Sequence, residues 1–485
     1  MKNVNSIAIV GAGTAGLVSA LILKTRFPDM KIDIICSKDI GIVGVGEGST
    51  EHWKTFMQHV GIDSKELIQR TDATFKLGVM FQNWVEDDYL HSIGLPFAES
   101  IGEFSYVFAK HIAKHSKSSS MSSPLIWDNK LIDDSYAINS SNQYHFNTFK
   151  LNEYLSERAN NLNINIIDDI IQDVSLDADG NIKMIYGAAT TYNYDFYIDS
   201  TGFKRVLIDK LGAKWQSFGK YLKMKSAITF PTEDTENYNL WTLARAMNNG
   251  WLFRIPVWGR HGNGYIFDSD YMTAEEAKLE VEKYLGHSIN VGRTFNFDPG
   301  CLDKFWINNC CAIGLSSIFV EPLEASSIGT SIHQTFLLMH KLVNYNQSNI
   351  NNYNSSVTSM IENIRDFIFL HYMIKRDDTK FWRDIQNLEP PESLKKKLDI
   401  WKNKLPVRED FNNSSGYLLF NAQHYIMILA GLGLFDRESI KKEYDSIPPH
   451  FKEDADKKIK DFSDYINNNP TITHKKFLER VRSER

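Results

Sequence analysis

The chain has little cysteine: four residues in 485, at Cys36, Cys301, Cys310 and Cys311. Their spacing matches no zinc ligand set and two adjacent cysteines make a poor disulfide framework, so no metal is expected and a reducing, cytoplasmic setting fits best. A surplus of positive charge is also missing. The formal net charge of −6 leaves no electrostatic footprint for nucleic acid. No apolar run reaches the roughly 18 residues that cross a bilayer, and no signal-like segment follows Met1, so neither a membrane partner nor secretion is expected. What is there is 42% hydrophobic and 24% charged residues without an internal repeat, a globular balance that can bury a large core in two or three lobes.

Ile7 to Val10 predicts a buried strand, followed at once by Gly11-Ala12-Gly13-Thr14-Ala15-Gly16 and a helix from Leu17 to Phe27. In that context the first glycine permits a tight turn, the second lets backbone approach a pyrophosphate, and the third lets the helix pack on the sheet, with Thr14 and Ala15 completing the cradle. Ile32 to Cys36 predicts the second strand. Its end reads Cys36-Ser37-Lys38 where dinucleotide folds usually carry an acid, which moves the expected ribose contact to Ser37 or to backbone. A second glycine-rich turn, Gly44-Val45-Gly46-Glu47-Gly48-Ser49-Thr50, can lie flat against a planar ligand, with Ser49 or Thr50 placed to cap a helix from Glu51 to Val60.

From Thr74 the pattern has period two, with Phe75, Leu77, Val79 and Phe81 on one face of a strand and Lys76, Gly78 and Met80 on the other. Lys76 is then a solvated surface lysine or, where its face lines a cavity, a group for chemistry. The serines between His111 and Pro124 predict a mobile loop. Asn147 starts a helix through Leu155, and strands follow at Ile164 to Ile167, Ile182 to Tyr186 and Phe196 to Ile198, the last leading into Asp199-Ser200-Thr201-Gly202. Strands at Ala227 to Phe230, Gly250 to Pro256, Gly264 to Phe267 and Arg293 to Phe297 surround a helix that Thr273 and Glu276 cap. Next, Gly314 and the run Phe319-Val320-Glu321-Pro322-Leu323-Glu324-Ala325-Ser326-Ser327 lead to an apolar helix whose small-residue entrance offers backbone N–H groups to an anion. Glu324 is there either a cap or a reacting carboxylate. An asparagine-rich connection, Asn344 to Asn354, precedes a helical and polar remainder.

Taken together, Gly11-x-Gly13-x-x-Gly16, Gly44 to Thr50, Phe75-Lys76-Leu77-Gly78 with Asn83-Trp84, Gly250-Trp251-x-Phe253-x-Ile255-Pro256, Asn309 to Leu315, Phe319 to Glu324 and Ile364-Arg365-Asp366-Phe367 through His371-Tyr372 to Asp378 resemble the flavin-dependent halogenases of the tryptophan-halogenase type. The resemblance runs in order from residue 7 to about 385 and becomes faint beyond roughly 390. It implies an α/β fold of the FAD-binding monooxygenase type, glutathione-reductase-like, with an inserted β-sheet and a helical C-terminal substrate lobe. The corresponding division is residues 1–90 with 145–214 and 298–345 as a discontinuous flavin lobe, 91–144 as a loop-rich insertion, 215–297 as a β-rich substrate-side lobe and 346–485 as the helical lobe.

The resemblance also implies the chemistry. FADH2, O2 and a halide ion (chloride, bromide or iodide) give hypohalous acid, which reaches Lys76 and, with Glu324 beside it, halogenates an electron-rich small aromatic of the indole or phenol class. FAD is expected at Gly11, Gly13, Thr14, Ala15, Gly16, Ser37, Val45, Gly46, Glu47, Gly48, Ser49 and Gly314, the halide at Ser326 and Ser327, and a wall between flavin and substrate at Trp251, Phe253, Ile255 and Pro256. With no second G-x-G-x-x-G between strand and helix for a nicotinamide, FADH2 is expected from a separate NAD(P)H-dependent flavin reductase; a homo-oligomer is compatible with the sequence. Two departures stand out. Phe253 occupies the place of the family's second tryptophan, and Ala325-Ser326-Ser327 replaces the Ser-Thr-Gly that tryptophan-specific members tend to have. Nothing C-terminal matches the residues that hold free tryptophan, so tryptophan is not assigned as substrate. The alternatives are a flavin-dependent aromatic monooxygenase, which Phe253 would favour if it separates the two sites poorly, and a flavin-binding protein without catalysis.

Overall fold

The computed structural model describes residues 4–41, 47–92, 104–114, 123–133, 135–411 and 418–484. Its organising layer is a six-stranded sheet in the order Trp306–Ile307, Cys310–Ala312, Phe196–Asp199, Ser6–Val10, Lys31–Cys36, Asn165–Asp168, parallel apart from the first strand. Ile7, Ala8 and Ile9 are fully buried, as expected for a short, continuously apolar strand in a parallel sheet. The helix Thr14–Arg26 follows and packs against the helix Ser326–Lys341, with Leu17, Leu21 and Ile22 fully buried. Each such side chain contributes about 1.5–3 kcal/mol of burial, so this pairing fixes the entrances of both helices relative to the sheet.

A second sheet of seven strands runs Arg293–Asn296, Ser226–Thr232, Arg260–Phe267, Gly250–Val257, Thr242–Ala246, Gly78–Gln82 and Tyr89–Ser92. All neighbours are antiparallel except Thr242–Ala246 with Gly78–Gln82. The helix Ala274–Leu285 beside it carries the predicted capping box of Thr273 and Glu276. Among the described residues from 91 to 144 are the helix Phe104–Lys114 and the strands Lys130–Ile132 and Tyr144–Phe146. The C-terminal region from residue 347 is mostly helical, and no described helix is long and apolar enough to cross a membrane.

Several sequence expectations change. The strand read from Thr74 to Phe81 is broken at Lys76 and Leu77: Thr74–Phe75 pairs with Tyr144–Phe146 in a small three-stranded sheet, whereas Gly78–Gln82 joins the seven-stranded one. A period-two pattern cannot show this, because both pieces keep buried apolar residues. Neither Ser49 nor Thr50 caps the helix His52–Val60: Ser49 Oγ accepts from the Tyr144 N–H, and Thr50 Oγ1 bonds Nδ1 of His52. The asparagine-rich connection ends early. Asn346 caps the helix Gln347–His371 in a reciprocal box with Asn349. The helix expected to end at Leu155 runs to Asn161. His111 belongs to a helix, and residues 115–122, most of the expected loop, lie outside the described residues.

Candidate active site

The glycine turn after the first strand fits a dinucleotide on steric grounds. A Cβ at Gly11 would lie 2.3 Å from the carbonyl oxygen of Ser200, and one at Gly16 would lie 2.1 Å from that of Gly11, so neither position admits a side chain. A Cβ at Gly13 would meet nothing within 4 Å. Gly13 is also the N-cap of its helix and supplies no side-chain cap, which leaves the first-turn N–H groups of Thr14 and Ala15 facing open space suited to a pyrophosphate. Gly314 closes the same cradle from the other side, in the left-handed region at φ 72°, where a Cβ would come 2.5 Å from that of Ala15. Ser37 accepts the Asp39 N–H within its own turn at 3.3 Å, and Asp168 of the neighbouring strand takes the Lys38 N–H.

Of the second glycine turn, Val45 and Gly46 lie outside the described residues, as does Gly44. Its end, Glu47–Gly48, pairs with His145 and Phe146. The strand Tyr144–Phe146 pairs on its other edge with Thr74–Phe75 and so draws residues 48 and 49 beside Lys76. Lys76 is fully buried and its Nζ donates to the carbonyl of Ser49 at 2.7 Å. Burial lowers its pKa to about 8, with the charges of Glu324 and Glu51 pulling it back up. A Cβ on Gly48 would sit 3.3 Å from Cδ of Lys76 and 3.2 Å from Cβ of Ala325. The absence of that atom lets three separate segments meet.

Glu324 lies just before the helix Ser326–Lys341 and is buried, 1% exposed. It does not cap that helix. The N-cap is Ala325, held in the left-handed region at φ 54° with no side-chain cap bond, so the N–H groups of Ser326 and Ser327 have no capping side chain from it. Oε1 of Glu324 instead faces Nδ1 of His91 at 2.9 Å and Nε2 of His371 at 2.8 Å, whereas Oε2 is buried without a hydrogen-bond partner. Burial disfavours the charged carboxylate, yet the two imidazoles outweigh it and hold Glu324 well below the usual carboxylate range. No ion pair joins Lys76 to Glu324 among the described residues; they interact through the field alone. Glu321, three residues earlier, shows the contrast: burial raises it to about 7 although the Tyr372 hydroxyl donates to it.

A cavity of about 190 Å³ opens at this junction, lined by Gly48, Phe253, Ile255, Val320, Ala325 and Ser327 among others. Phe253 and Ile255 share one face of the strand Gly250–Val257. Trp251 on the same strand is fully buried and packs against Phe253 with ring centroids 6.1 Å apart, while the Pro256 carbonyl accepts from Thr74 Oγ1. Neither of these two lines the cavity.

The sequence reading missed His91, His371, His424 and Glu51. Only His371 carried a signal, as part of a quoted motif to which no role was given. His91 and His424 lie 233 and 100 residues from Glu324 along the chain, with no spacing to connect them.

The comparisons agree with this geometry. The family model described as tryptophan halogenase matches residues 6–446. The 7-chloro-L-tryptophan 6-halogenase KtzR of Kutzneria sp. is 28% identical over 92% of this chain and 98% of its own length. The tryptophan 7-halogenase RebH of Lentzea aerocolonigenes is 28% identical over 89% and 90%. Among solved structures, the tryptophan halogenase of Shewanella frigidimarina superposes with a TM-score of 0.89 at 25% identity, covering 100% of this chain and 98% of that one. The flavin-dependent halogenase Xcc4156 of Xanthomonas campestris gives 0.86 at 26% identity, with 99% of each chain covered. A match spanning most of the chain, on a fold whose glycine cradle, buried lysine and buried carboxylate stand as described, places it in the tryptophan halogenase family of flavin-dependent halogenases.

Proposed function

We propose that Lys76 and Glu324 are the reacting pair of a halogenase for small electron-rich aromatics of the indole or phenol class. The observation that carries this reading is the joint burial of an ammonium and a carboxylate at one junction, held apart by separate partners. Burying a charge costs several kcal/mol of desolvation, and a fold retains two of them, each held by its own partners, where chemistry uses them; neither lines the cavity itself, whose wall at Gly48 and Ala325 adjoins both. FADH2, when bound, would supply the electrons with which O2 becomes the oxidant that turns halide into hypohalous acid. The glycine cradle from Gly11 to Gly16 with Gly314 holds the dinucleotide, Ser37 the ribose, and the turn from Val45 to Ser49 the flavin ring. The halide rests on the N–H groups of Ser326 and Ser327, where the helix start is positive and Ala325 leaves it uncapped. Phe253 and Ile255, backed by Trp251 and Pro256, separate the flavin side from the substrate side.

Lys76 holds the hypohalous acid through its ammonium, already fixed on one side by Ser49, and aims the electrophilic halogen. Glu324 then takes the ring proton on Oε2, the oxygen left without a partner. FADH2 comes from a separate NAD(P)H-dependent flavin reductase, and a cytoplasmic location suits that supply. The four-part division of the chain serves the same scheme, with the flavin lobe and the helical lobe meeting at residues 321–327. Indoles and phenols incubated with reduced FAD, O2 and chloride, bromide or iodide should give halogenated products by mass spectrometry, most readily with bromide or iodide because these are more easily oxidised. Full activity in Lys76→Ala would overturn the assignment, and oxygenated product without halide would favour the monooxygenase alternative.

A further inference from the structure

We propose that His91 and His424 form a proton path between Glu324 and Glu51; this rests on Glu324 as the group that takes the ring proton. Oε1 of Glu324 faces two imidazoles whose far ends differ. Nδ1 of His371 donates to the carbonyl of Phe367 at 2.7 Å. A carbonyl only accepts, so that nitrogen keeps its hydrogen and the branch is closed. Nε2 of His91 faces Nδ1 of His424 at 3.0 Å, and Nε2 of His424 comes within 3.4 Å of Oε1 of Glu51. Every gap on this branch joins two groups that can each give and take a proton. Its inner members are buried, whereas the Glu51 side chain is 26% exposed, beside His52 at 3.9 Å. Lys76 and Tyr89 also feel the charge of Glu324, and burial keeps the Tyr89 phenol protonated.

Three gaps separate Glu324, His91, His424 and Glu51, and two neutral imidazoles bring hydrogens for two of them. The third gap is open to a proton in transit, because burial is outweighed at both ends by neighbouring imidazoles that keep Glu324 and Glu51 as carboxylates between turnovers. In the outward direction the ring C–H bond breaks, its electron pair returns to the ring, and an O–H bond forms on Oε2. A half-turn of the carboxyl group brings that oxygen to His91. With both imidazoles bearing hydrogen on Nε2, the proton passes to Nδ1 of His91, the His91 Nε2 hydrogen to Nδ1 of His424, and the His424 Nε2 hydrogen to Glu51, from which water takes it. Glu324 is again a carboxylate. Run inward before halogen transfer, the same hops restore both rings and bring to Glu324 the proton that the oxygen of HOX takes as it leaves as water.

The test combines nitrogen-15 NMR of the histidines in the flavin-free protein with activity on indole and bromide, FADH2 being supplied by a flavin reductase. His91 and His424 should show ring shifts averaged between tautomers and His371 a fixed Nδ1–H; Glu51→Gln should move the His424 signals and leave those of His371 in place. A single fixed tautomer at His424 overturns the path. His424→Ala, folded by the same spectra, should lose about a hundredfold or more in kcat at unchanged KM for indole and recover saturably with added imidazole, within the usual range of proton-transfer contributions. A full-rate His424→Ala beside an inactive Glu324→Gln overturns the path and leaves the reading of Glu324 standing. A full-rate Glu324→Gln removes that reading and the catalytic role of the path with it.

Discussion

The proposed flavin cradle and the proposed reaction centre are built on opposite plans. The cradle uses backbone and missing side chains, most of them within Gly11 to Gly16, and its fit is decided by atoms that would collide if a methyl were added. The reaction centre uses buried polar side chains brought from residues 76, 91, 324 and 371, and its fit is decided by which hydrogen bonds each charge receives. A backbone cradle tolerates no bulk, and a centre of buried charges tolerates no lost partner.

The largest test of this contrast is Lys76→Ala, which should cut halogenation by about 10²–10⁴-fold, as removing a reacting group does, while flavin affinity measured by fluorescence titration stays the same. A parallel loss of flavin binding would show that the two regions are not separable. On the cradle side, Gly16→Ala should destabilise the protein by about 1–3 kcal/mol in chemical denaturation and weaken flavin binding, because its Cβ would fall 2.1 Å from the Gly11 carbonyl oxygen. Gly13→Ala, with nothing within 4 Å of its Cβ, should keep full stability and weaken flavin alone. Equal destabilisation by both would remove the steric account.

A third test uses pH. Lys76 is cationic below its pKa, which burial lowers to about 8, so halogenation from preformed hypohalous acid should fall as pH rises through about 8. A limb near the ordinary lysine value of 10.5 would mean that the ammonium sees water. The smallest effect is expected from Ser327→Ala. With the backbone N–H as ligand, the bromide KM should stay within about twofold, whereas a hydroxyl ligand worth a charged hydrogen bond would raise it more than tenfold.

The same contrast explains what could be read from sequence. The first strand, its glycine turn and the following helix are consecutive, and each glycine has a local steric reason, so this part of the fold was legible. Lys76 and Glu324 were legible as candidates through the motifs around them. Their surroundings were not. The break in the strand at Lys76 depends on pairing with residues 144–145 on one side and 242–245 on the other, and no local periodicity records that. Glu324 looked like a helix cap because it stands at a helix start, but Ala325 takes the cap position and turns the carboxylate toward His91 and His371. His424 comes from the region where the family resemblance fades.

Gly48 gives the two plans a common wall. With Lys76 Cδ and Ala325 Cβ each 3.3 Å or less from where its first side-chain atom would stand, the partition between flavin turn, lysine and helix entrance is one hydrogen atom thick. Replacing the Phe253 ring would reshape the cavity wall alone, but a substitution at residue 48 would act as a wedge, moving the glycine turn, Lys76 and the helix entrance apart in the same stroke.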